Sequence, residues 1–458
     1  MKSNIPLLIF MLINLFVNAQ NETKHWCFGG GQHLLFDTSS VQVVSNCSIT
    51  TPEAASSISD SSGNLLFYTN GEKIWNKLNQ VMQNGNGLNG NWSATQCLIV
   101  KQPLSDSLYY IFYADGWGLG GAYYAIVDMS FNSGLGSVVS KNNLLFTPSS
   151  EKFSAIKNSN DTDVWVMTRT ANPTFFKAYL LTTNGLNLSP VTSNIGIPEF
   201  VGIGQMKFSH NGKKLALANV DTSCFELFDF NASSGIVSNA YLSSHFTTPN
   251  VMGGLTYGVE FSPNDSILYC TLNFPPAILK YDLTVSGNPL LNYTMIDTSS
   301  CFSLGALQLA LDGNIYVGRD DLSGSNGALS VIHYPNSWNF SNYIDSSLAL
   351  NNYGNWSLPN FEQSLFRNVP SNTPTSIQNI SSKTNFSVYP NPFTSQISIS
   401  VKKDKEEALI IRNTLGQVVY KTQERKLNSI DLSFLSKGIY LLDIIIDGER
   451  TMKKIVKD

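Results

Sequence analysis

Residues 206–217 read MKFSHNGKKLAL, in which two short apolar runs flank Asn211-Gly212. Asn-Gly is favoured in tight hairpin turns because both central residues of the turn need a positive φ. Alternating apolar residues on each side of such a turn indicate a pair of antiparallel strands. This stretch therefore predicts a β-hairpin in which both turn residues have a positive φ.

Similar hairpins recur along most of the chain. Copies with the same order of strand, polar turn and strand are SISDSSGNLLFY, VEFSPNDSILY and LALDGNIYV, at 57–68, 259–269 and 309–317. Equivalent turn residues are 53 positions apart from Asn211 to Asn264 and 48 apart from Asn264 to Asp312. Because propeller blades repeat about every 40 to 50 residues, these intervals predict an all-β propeller.

The number of repeats predicts seven blades. Six units begin near residues 53, 95, 152, 203, 256 and 304. A seventh combines strands within 25–36 with a closing strand at about Asn360 to Phe366, which would remove two open sheet edges. A pair of β-sandwiches is the alternative, since sandwich strands recur about every 8 to 12 residues, but the longer repeat favours the propeller.

Charge is distributed unevenly between two regions. The 458 residues carry a net charge of -4, but the part from Asn385 onward carries +3 and the part before it -7. All seven Trp and all six Cys precede Asn385. We therefore expect a signal peptide at 1–19, a β-propeller at 20–367, a polar linker at 368–384 and a C-terminal domain at 385–458. Neither region has the basic stripe of a nucleic-acid-binding protein, and no cofactor or metal motif appears.

The N-terminus has the pattern of an export signal. Lys2 precedes an apolar run from Ile5 to Val17, and Val17-Asn18-Ala19 favours cleavage before Gln20. The run is about 13 residues long, whereas a membrane-spanning helix needs about 20. We therefore expect a secreted or cell-surface protein without a transmembrane anchor.

Export makes disulfides possible among the six cysteines. They are Cys27, Cys47, Cys97, Cys224, Cys270 and Cys301. Their spacing does not select among the 15 possible pairings, and Cys27–Cys47 is the bridge to test first. No CxxC pair occurs, so the spacing argues against a thiolate zinc site.

The last region has strand signals of its own. Apolar stretches at 408–411, 418–420 and 439–446 are separated by turn residues, and Asp447-Gly448 is a further hairpin signal. About seven short strands are expected, which predicts a small immunoglobulin-like β-sandwich.

Four motifs in this region resemble those of the type A C-terminal sorting domains of the type IX secretion system. The residues that carry the resemblance are Tyr389, Pro390, Asn391 and Pro392, then Leu415 and Gly416, then Gly438 and Tyr440, and finally Lys453 and Lys454. The resemblance implies transit across the outer membrane, with the secretion machinery and its sortase as partners. It also implies removal of the tail, after which the passenger is released or attached to a surface lipopolysaccharide.

The propeller region resembles WD-type propeller passengers of gliding and oral Gram-negative bacteria. The residues that carry this resemblance lie at 25–29, 58–71, 74–76 and 357–361. Those passengers have no assigned activity, so the resemblance implies a fold and no chemistry. The Trp-Asp dipeptide of WD repeats does not occur in this chain.

Two functions remain open for the propeller. Trp92, Trp117, Tyr123 and Tyr124 lie in or beside Gly-rich segments, where aromatic rings can stack on sugars or anchor a protein interface. They favour a binding or adhesion module for glycans or proteins, although packing between blades would explain them equally well. The alternative is an exported polysaccharide hydrolase or lyase, whose candidate carboxylates near the blade starts are Glu53, Glu151, Glu199, Glu260 and Glu362.

Overall fold

The computed structural model describes residues 21–44, 47–246, 256–299, 301–321, 327–339, 341–352, 356–370, 386–401, 406–413, 418–422, 429–446 and 449–458. The chain separates into two compact units, divided between 373 and 374. The predicted signal peptide at 1–19 lies outside the described residues. Within these ranges, none of the helices reaches the length and apolarity that crossing a membrane requires.

The described residues of the first unit contain seven groups of antiparallel strands in chain order, and a parallel pairing between the outer strands of the second and third groups joins these two into one eight-stranded sheet. The first two groups are β1 (His25–Phe28), β2 (Gln32–Phe36), β3 (Val41–Val43), and β4 (Ser56–Ser59), β5 (Leu65–Thr69), β6 (Lys73–Asn76), β7 (Val81–Asn86). The third and fourth are β8 (Leu98–Lys101), β9 (Leu108–Ala114), β10 (Ala122–Asp128), β11 (Ser137–Phe146), and β12 (Ser149–Lys157), β13 (Val164–Thr170), β14 (Phe176–Thr182), β15 (Gly185–Leu186), β16 (Val191–Ser193).

The remaining three groups are regular four-stranded meanders. They are β17 (Met206–Phe208), β18 (Lys214–Asn219), β19 (Cys224–Asn231), β20 (Ile236–Leu242); β21 (Thr256–Phe261), β22 (Ile267–Leu272), β23 (Ala277–Asp282), β24 (Tyr293–Thr298); and β25 (Ser303–Leu309), β26 (Ile315–Asp320), β27 (Ala328–His333), β28 (Asn342–Ala349). Short 3-10 helices occur at Asn21–Thr23, Asn132–Gly134, Pro289–Leu291 and Gln363–Phe366.

Hydrogen bonds between the first strands of different groups place those strands on the inside of a ring. The Gln205 amide donates to the Tyr257 carbonyl at 2.8 Å, and the Gln205 side chain accepts from the Leu307 amide at 2.9 Å. The ring closes where Trp26 and Phe36 pack edge-on against Tyr316, with centroids 5.6 and 5.1 Å apart. The prediction of an all-β propeller with seven blades is confirmed.

The hairpin turns differ from the predicted geometry. In the turn that contains Asn211, the Gly212 amide donates to the Ser209 carbonyl at 2.9 Å, and only Gly212 has a positive φ, of 69°. Asp265 occupies the equivalent position of the next blade, with φ of 59°. Each turn is therefore longer than a two-residue hairpin turn, and a single residue with positive φ lies near its end. The prediction of positive φ at both central residues is wrong.

The predicted closing strand at Asn360 to Phe366 is also wrong. Residues 356–369, which we call the channel segment, run along the inner strands without forming a ladder. The Asn360 amide donates to the Ala55 carbonyl at 2.9 Å, and the Asn360 side chain donates to the Phe153 carbonyl at 2.9 Å. Ser364 accepts from the Lys157 amide at 2.9 Å. The side chain of Asn360 thus reaches blades on the other side of the ring, which a blade edge would not.

The second unit is a small β-sandwich of two sheets, as predicted. Its strands are β29 (Phe386–Tyr389), β30 (Gln396–Val401), β31 (Glu406–Asn413), β32 (Val418–Thr422), β33 (Ile430–Asp431), β34 (Gly438–Ile446) and β35 (Glu449–Lys457). One sheet has the order β29-β30-β33 and the other β32-β31-β34-β35. Ile397, Leu409, Leu442 and Ile455 are fully buried between them.

One of the possible disulfides is present. Cys27 in β1 is bonded to Cys47, which precedes the second blade. Cys97, Cys224, Cys270 and Cys301 are buried free thiols. The bridge chosen for testing from the sequence is therefore confirmed, and it links the first blade to the segment that follows it.

Candidate functional sites

Two of the predicted ligand-contact residues are exposed at one end of the propeller. We call this end the entrance: it is where the inner strands begin. Trp92 is 45% exposed, and its carbonyl accepts from the Ala54 amide at 3.3 Å, just before β4. Trp117 is 60% exposed, and its amide donates to Glu151 Oε1 at 2.7 Å, at the start of β12. Both tryptophans are therefore held by contacts to residues at the starts of inner strands.

The Gly-rich loop that carries Trp117 is pressed against its neighbour. Trp117 itself has a φ of 68°. A Cβ on Gly118 would lie 2.1 Å from the Phe200 carbonyl oxygen, so only glycine fits there. Phe200 is 61% exposed beside this loop, and its amide donates to Asp221 Oδ2 at 2.8 Å. Phe200 is a member of the entrance surface that sequence reasoning missed, although the Gly202 and Gly204 that follow it were a signal of close backbone approach.

Tyr123 and Tyr124 do not join the two tryptophans. They are consecutive residues of β10, so their side chains point to opposite faces of the sheet. Tyr123 stacks on Tyr113 and Tyr124 stacks on Tyr110, with centroids 6.0 and 5.8 Å apart. Both are half-buried, and their arrangement is that of rings packed within and between blades.

Two carboxyl groups with unusual ionisation lie at the entrance. Burial raises the pKa of Glu53 to about 8, and the charge of Glu151 adds to this although the Tyr257 hydroxyl opposes it. The Tyr257 hydroxyl is 2.7 Å from Glu53 Oε2. Burial also raises the pKa of Glu151, in spite of hydrogen bonds from the Trp117 amide and from the Thr95 amide and hydroxyl. Glu53 is therefore largely protonated at neutral pH.

The other carboxylates proposed from the sequence are engaged inside the protein. Glu199 Oε1 is 3.1 Å from both Lys152 Nζ and Arg169 Nη1, and all three side chains are fully buried. Glu260 Oε2 is 2.5 Å from Lys207 Nζ, also fully buried. Glu362, in the channel segment, accepts from the Ser364 amide at 2.8 Å, and burial raises its pKa. Glu151 is likewise buried, with 1% of its surface exposed, so Glu53 alone of the five acids is partly exposed.

The C-terminal unit brings the first and last of the four predicted motifs together. Asn391 Nδ2 donates to the Lys454 carbonyl at 2.9 Å, and Asn391 Oδ1 accepts from the Val456 amide at 2.8 Å. Tyr389, Pro390, Asn391 and Pro392 are exposed, as are Lys453 and Lys454. The two ends of the unit therefore form one continuous surface.

The third motif contacts β35, the strand that carries Lys453 and Lys454. The Tyr440 hydroxyl donates to the Ser436 carbonyl at 2.7 Å, and Gly438 begins β34. Lys457 Nζ, at the end of β35, donates to the Leu432 carbonyl at 2.7 Å. Leu415 and Gly416, from the second motif, lie outside the described residues.

Comparison with known families agrees with this reading of the C-terminal unit. A family described as the secretion system C-terminal sorting domain matches residues 387–458. The C-terminal unit is a sorting domain of the type IX kind. The sorting domain indicates export of the chain and contact with the secretion machinery. No curated protein matches the chain at a significant level.

Solved structures that resemble the chain are distant. A putative 6-phosphogluconolactonase from Bacteroides fragilis is 11% identical, covering 74% of this chain and 96% of its own, with a TM-score of 0.49. One from Bacteroides uniformis is 11% identical, covering 71% and 94%, with a TM-score of 0.48. The periplasmic gluconolactonase of Pseudomonas aeruginosa is 12% identical, covering 95% and 98%, with a TM-score of 0.36. Similarity this low carries no argument about activity.

Proposed function

We propose that this chain is an exported binding module whose propeller contacts a glycan through the entrance. The observation that carries the proposal is the exposure of Trp92 and Trp117 at the same end of the ring, each anchored through its backbone. An exposed aromatic side chain whose backbone is fixed can stack on a sugar without the entropic cost of ordering its loop. A protein ligand is the other candidate for the same surface.

Glycan-array binding followed by calorimetry tests this proposal. Trp117→Ala and Trp92→Ala are each expected to weaken binding by about tenfold, which is about 1.4 kcal/mol. Phe131→Ala is the matched control, because Phe131 is 50% exposed in the connection between β10 and β11 and has no part in the entrance. Equal binding by the wild type and Trp117→Ala, with unchanged circular dichroism, would remove the entrance as the binding surface.

A second candidate function is hydrolysis or elimination on a polysaccharide. Glu53 supports it, because a carboxyl group that stays protonated near neutral pH can act as a general acid. Glu151 would be the second carboxyl group of the pair. Screening the protein against polysaccharides, with Glu53→Gln as the inactive variant, separates this function from binding. Turnover that survives Glu53→Gln would exclude the assignment.

We also propose the division of labour along the chain: a signal peptide at 1–19, the propeller at 20–367, a linker at 368–384 and the sorting domain from 385. In this proposal the propeller is delivered to the outer cell surface or the medium, and the sortase recognises the sorting domain. Deletion of 387–458 is expected to leave the propeller inside the cell envelope of a bacterium with a type IX system. Fractionation with an antibody against the propeller measures this, and unchanged secretion would contradict it.

A further inference from the structure

Four side chains with nitrogen or sulfur donors meet beside the first blade. Cys27, His33 and Cys47 place their ligand atoms within 4.8 Å of one another. His25 Nδ1 lies 2.8 Å from His33 Nε2. His25 and Cys27 are two residues apart in β1, so they face the same side, and Cys27 is directly opposite His33 in β2. We call His25, Cys27, His33 and Cys47 the Cys/His cluster.

Backbone contacts hold the cluster in place independently of the disulfide. The Cys47 amide donates to the Gly31 carbonyl at 3.0 Å, and the Thr51 amide donates to the Gly29 carbonyl at 3.0 Å. The Val44 amide donates to the His33 carbonyl at 2.9 Å. Both sulfur atoms belong to buried residues. Reduction of the Cys27–Cys47 bond would therefore leave two thiols next to each other and next to His33.

This donor set matches the preference of zinc. Structural zinc sites are tetrahedral and commonly use two Cys and two His, with ligand distances of roughly 2.0 to 2.3 Å. Four such ligands lie roughly 3 to 4 Å from one another. The donor atoms of Cys27, His33 and Cys47 already lie within 4.8 Å of one another. His25, whose Nδ1 lies 2.8 Å from His33 Nε2, would turn toward the two sulfur atoms to supply the fourth ligand. We propose that the reduced protein binds a zinc ion through the Cys/His cluster, and that the disulfide is its metal-free oxidised form.

The two forms interconvert by ordinary thiol chemistry. A dithiol reductant gives two electrons and two protons to the Cys27–Cys47 bond and becomes a disulfide itself. Zinc then replaces the two thiol protons, which pass to solvent, because the thiolate is the ligand. In the reverse direction a small-molecule disulfide takes two electrons from the two thiolates and is itself cleaved to two thiols, while the Cys27–Cys47 bond re-forms; this withdraws two of the four ligands and releases the ion. No sequence motif marks this site, because its ligands come from two paired strands and a separate loop and not from a CxxC pair.

Zinc titration of the full chain tests the proposal. The protein is reduced with dithiothreitol, freed of it by anaerobic gel filtration, and titrated with Zn²⁺ against a competing chelator. We expect one zinc ion per reduced chain and none per oxidised chain. With Co²⁺ as the probe, we expect sulfur-to-cobalt charge-transfer absorption in the reduced form alone. Cys47→Ser should abolish this absorption, and His33→Gln should weaken binding by at least tenfold.

Cys301→Ser is the matched control, because Cys301 is a buried free thiol of the same propeller outside the cluster. It should bind one zinc ion like the wild type. The proposal is overturned if the reduced chain, with Cys27 and Cys47 shown to be free by thiol labelling, takes up no zinc. It is also overturned if Cys301→Ser loses as much binding as Cys47→Ser, or if His33→Gln, shown to be folded by circular dichroism, binds as tightly as the wild type.

Discussion

At the scale of the residue, the propeller contains acidic side chains in two opposite situations. Glu260 is fully buried and paired with the Lys207 ammonium, which also donates to the Leu307 carbonyl at 2.8 Å and to Gln308 Oε1 at 2.6 Å. Glu53 is partly buried with a tyrosine hydroxyl as its hydrogen-bond donor. The Glu260–Lys207 pair affects stability because a charge left alone in the interior is costly. Glu53 makes the free energy of unfolding depend on pH.

Glu53 should make the propeller less stable as pH rises. Its pKa in the folded protein is about 8, above the ordinary value of 4.5, so the folded state binds more protons than the unfolded state between these values. The free energy of unfolding therefore falls as pH rises through this window. Urea unfolding at several pH values should show this slope, and Glu53→Gln should reduce it by up to about one bound proton. An identical slope in Glu53→Gln would contradict the assignment.

Removing Lys207 should destabilise the propeller strongly. Lys207→Met leaves the Glu260 carboxylate buried without its partner, and loss of one member of a buried pair costs about 3–5 kcal/mol. Lys214→Met is the control, because its pair with Asp229 is about one third exposed and is expected to contribute less than about 1 kcal/mol. Urea unfolding measures both. The double variant Lys207→Met/Glu260→Met should lose less than Lys207→Met alone, and an equal or larger loss would exclude this explanation.

At the scale of the element, strand β35 holds the sorting domain together from its C-terminal edge. Asn391 binds the strand through both atoms of its amide group, and the Phe393 amide donates to the Val456 carbonyl at 2.8 Å. The Pro-rich segment before β30 is thereby fixed to the last strand. This pairing explains why motifs more than 60 residues apart form one surface.

Asn391→Ala should loosen β35 without unfolding the propeller. Loss of two exposed hydrogen bonds is expected to cost about 1 kcal/mol. Hydrogen exchange should accelerate at the Val456 amide, which loses its acceptor, while amides of β12 stay protected. Ser387→Ala, at an exposed position of β29, serves as the control and should change neither. An unchanged exchange rate at the Val456 amide in Asn391→Ala would show that the Asn391 side chain is not needed to hold β35 in place.

At the scale of the whole molecule, the channel segment links blades of the propeller from inside the ring. Its residues Asn360 and Ser364 contact inner strands of different blades. Arg367 Nε donates to the His210 carbonyl at 3.1 Å, in the turn after β17. Ser357, Phe361 and Phe366 are buried. The propeller therefore depends on residues that come after its last blade strand in the chain.

Truncation measures this dependence. A chain that ends at residue 355 should expose the apolar interior, bind a hydrophobic dye and unfold without a sharp transition. A chain that ends at residue 370 keeps the channel segment and should unfold cooperatively near the temperature of the full propeller. If the two truncations unfold alike, the channel segment does not stabilise the propeller.

The sequence by itself determined the repeat, and with it the fold. Apolar alternation around polar turns specifies hairpins locally, and a period near 50 residues specifies how many there are, so the seven-bladed propeller was predictable. The sorting domain was predictable for a related reason, since its motifs are local and lie in a fixed order.

The tertiary structure alone decided the features that depend on contacts between residues distant in the chain. It placed Trp92 and Trp117 at one end and Tyr123 and Tyr124 in the packing, because side-chain direction depends on which strand faces which neighbour. Only the tertiary structure shows that Glu53 and Glu151 are not members of the buried ion pairs. It also places the channel segment inside the ring. Contacts between β1, β2 and the segment after β3 bring His25, Cys27, His33 and Cys47 together. Burial and partner distance control these properties, and neither follows from spacing along the chain.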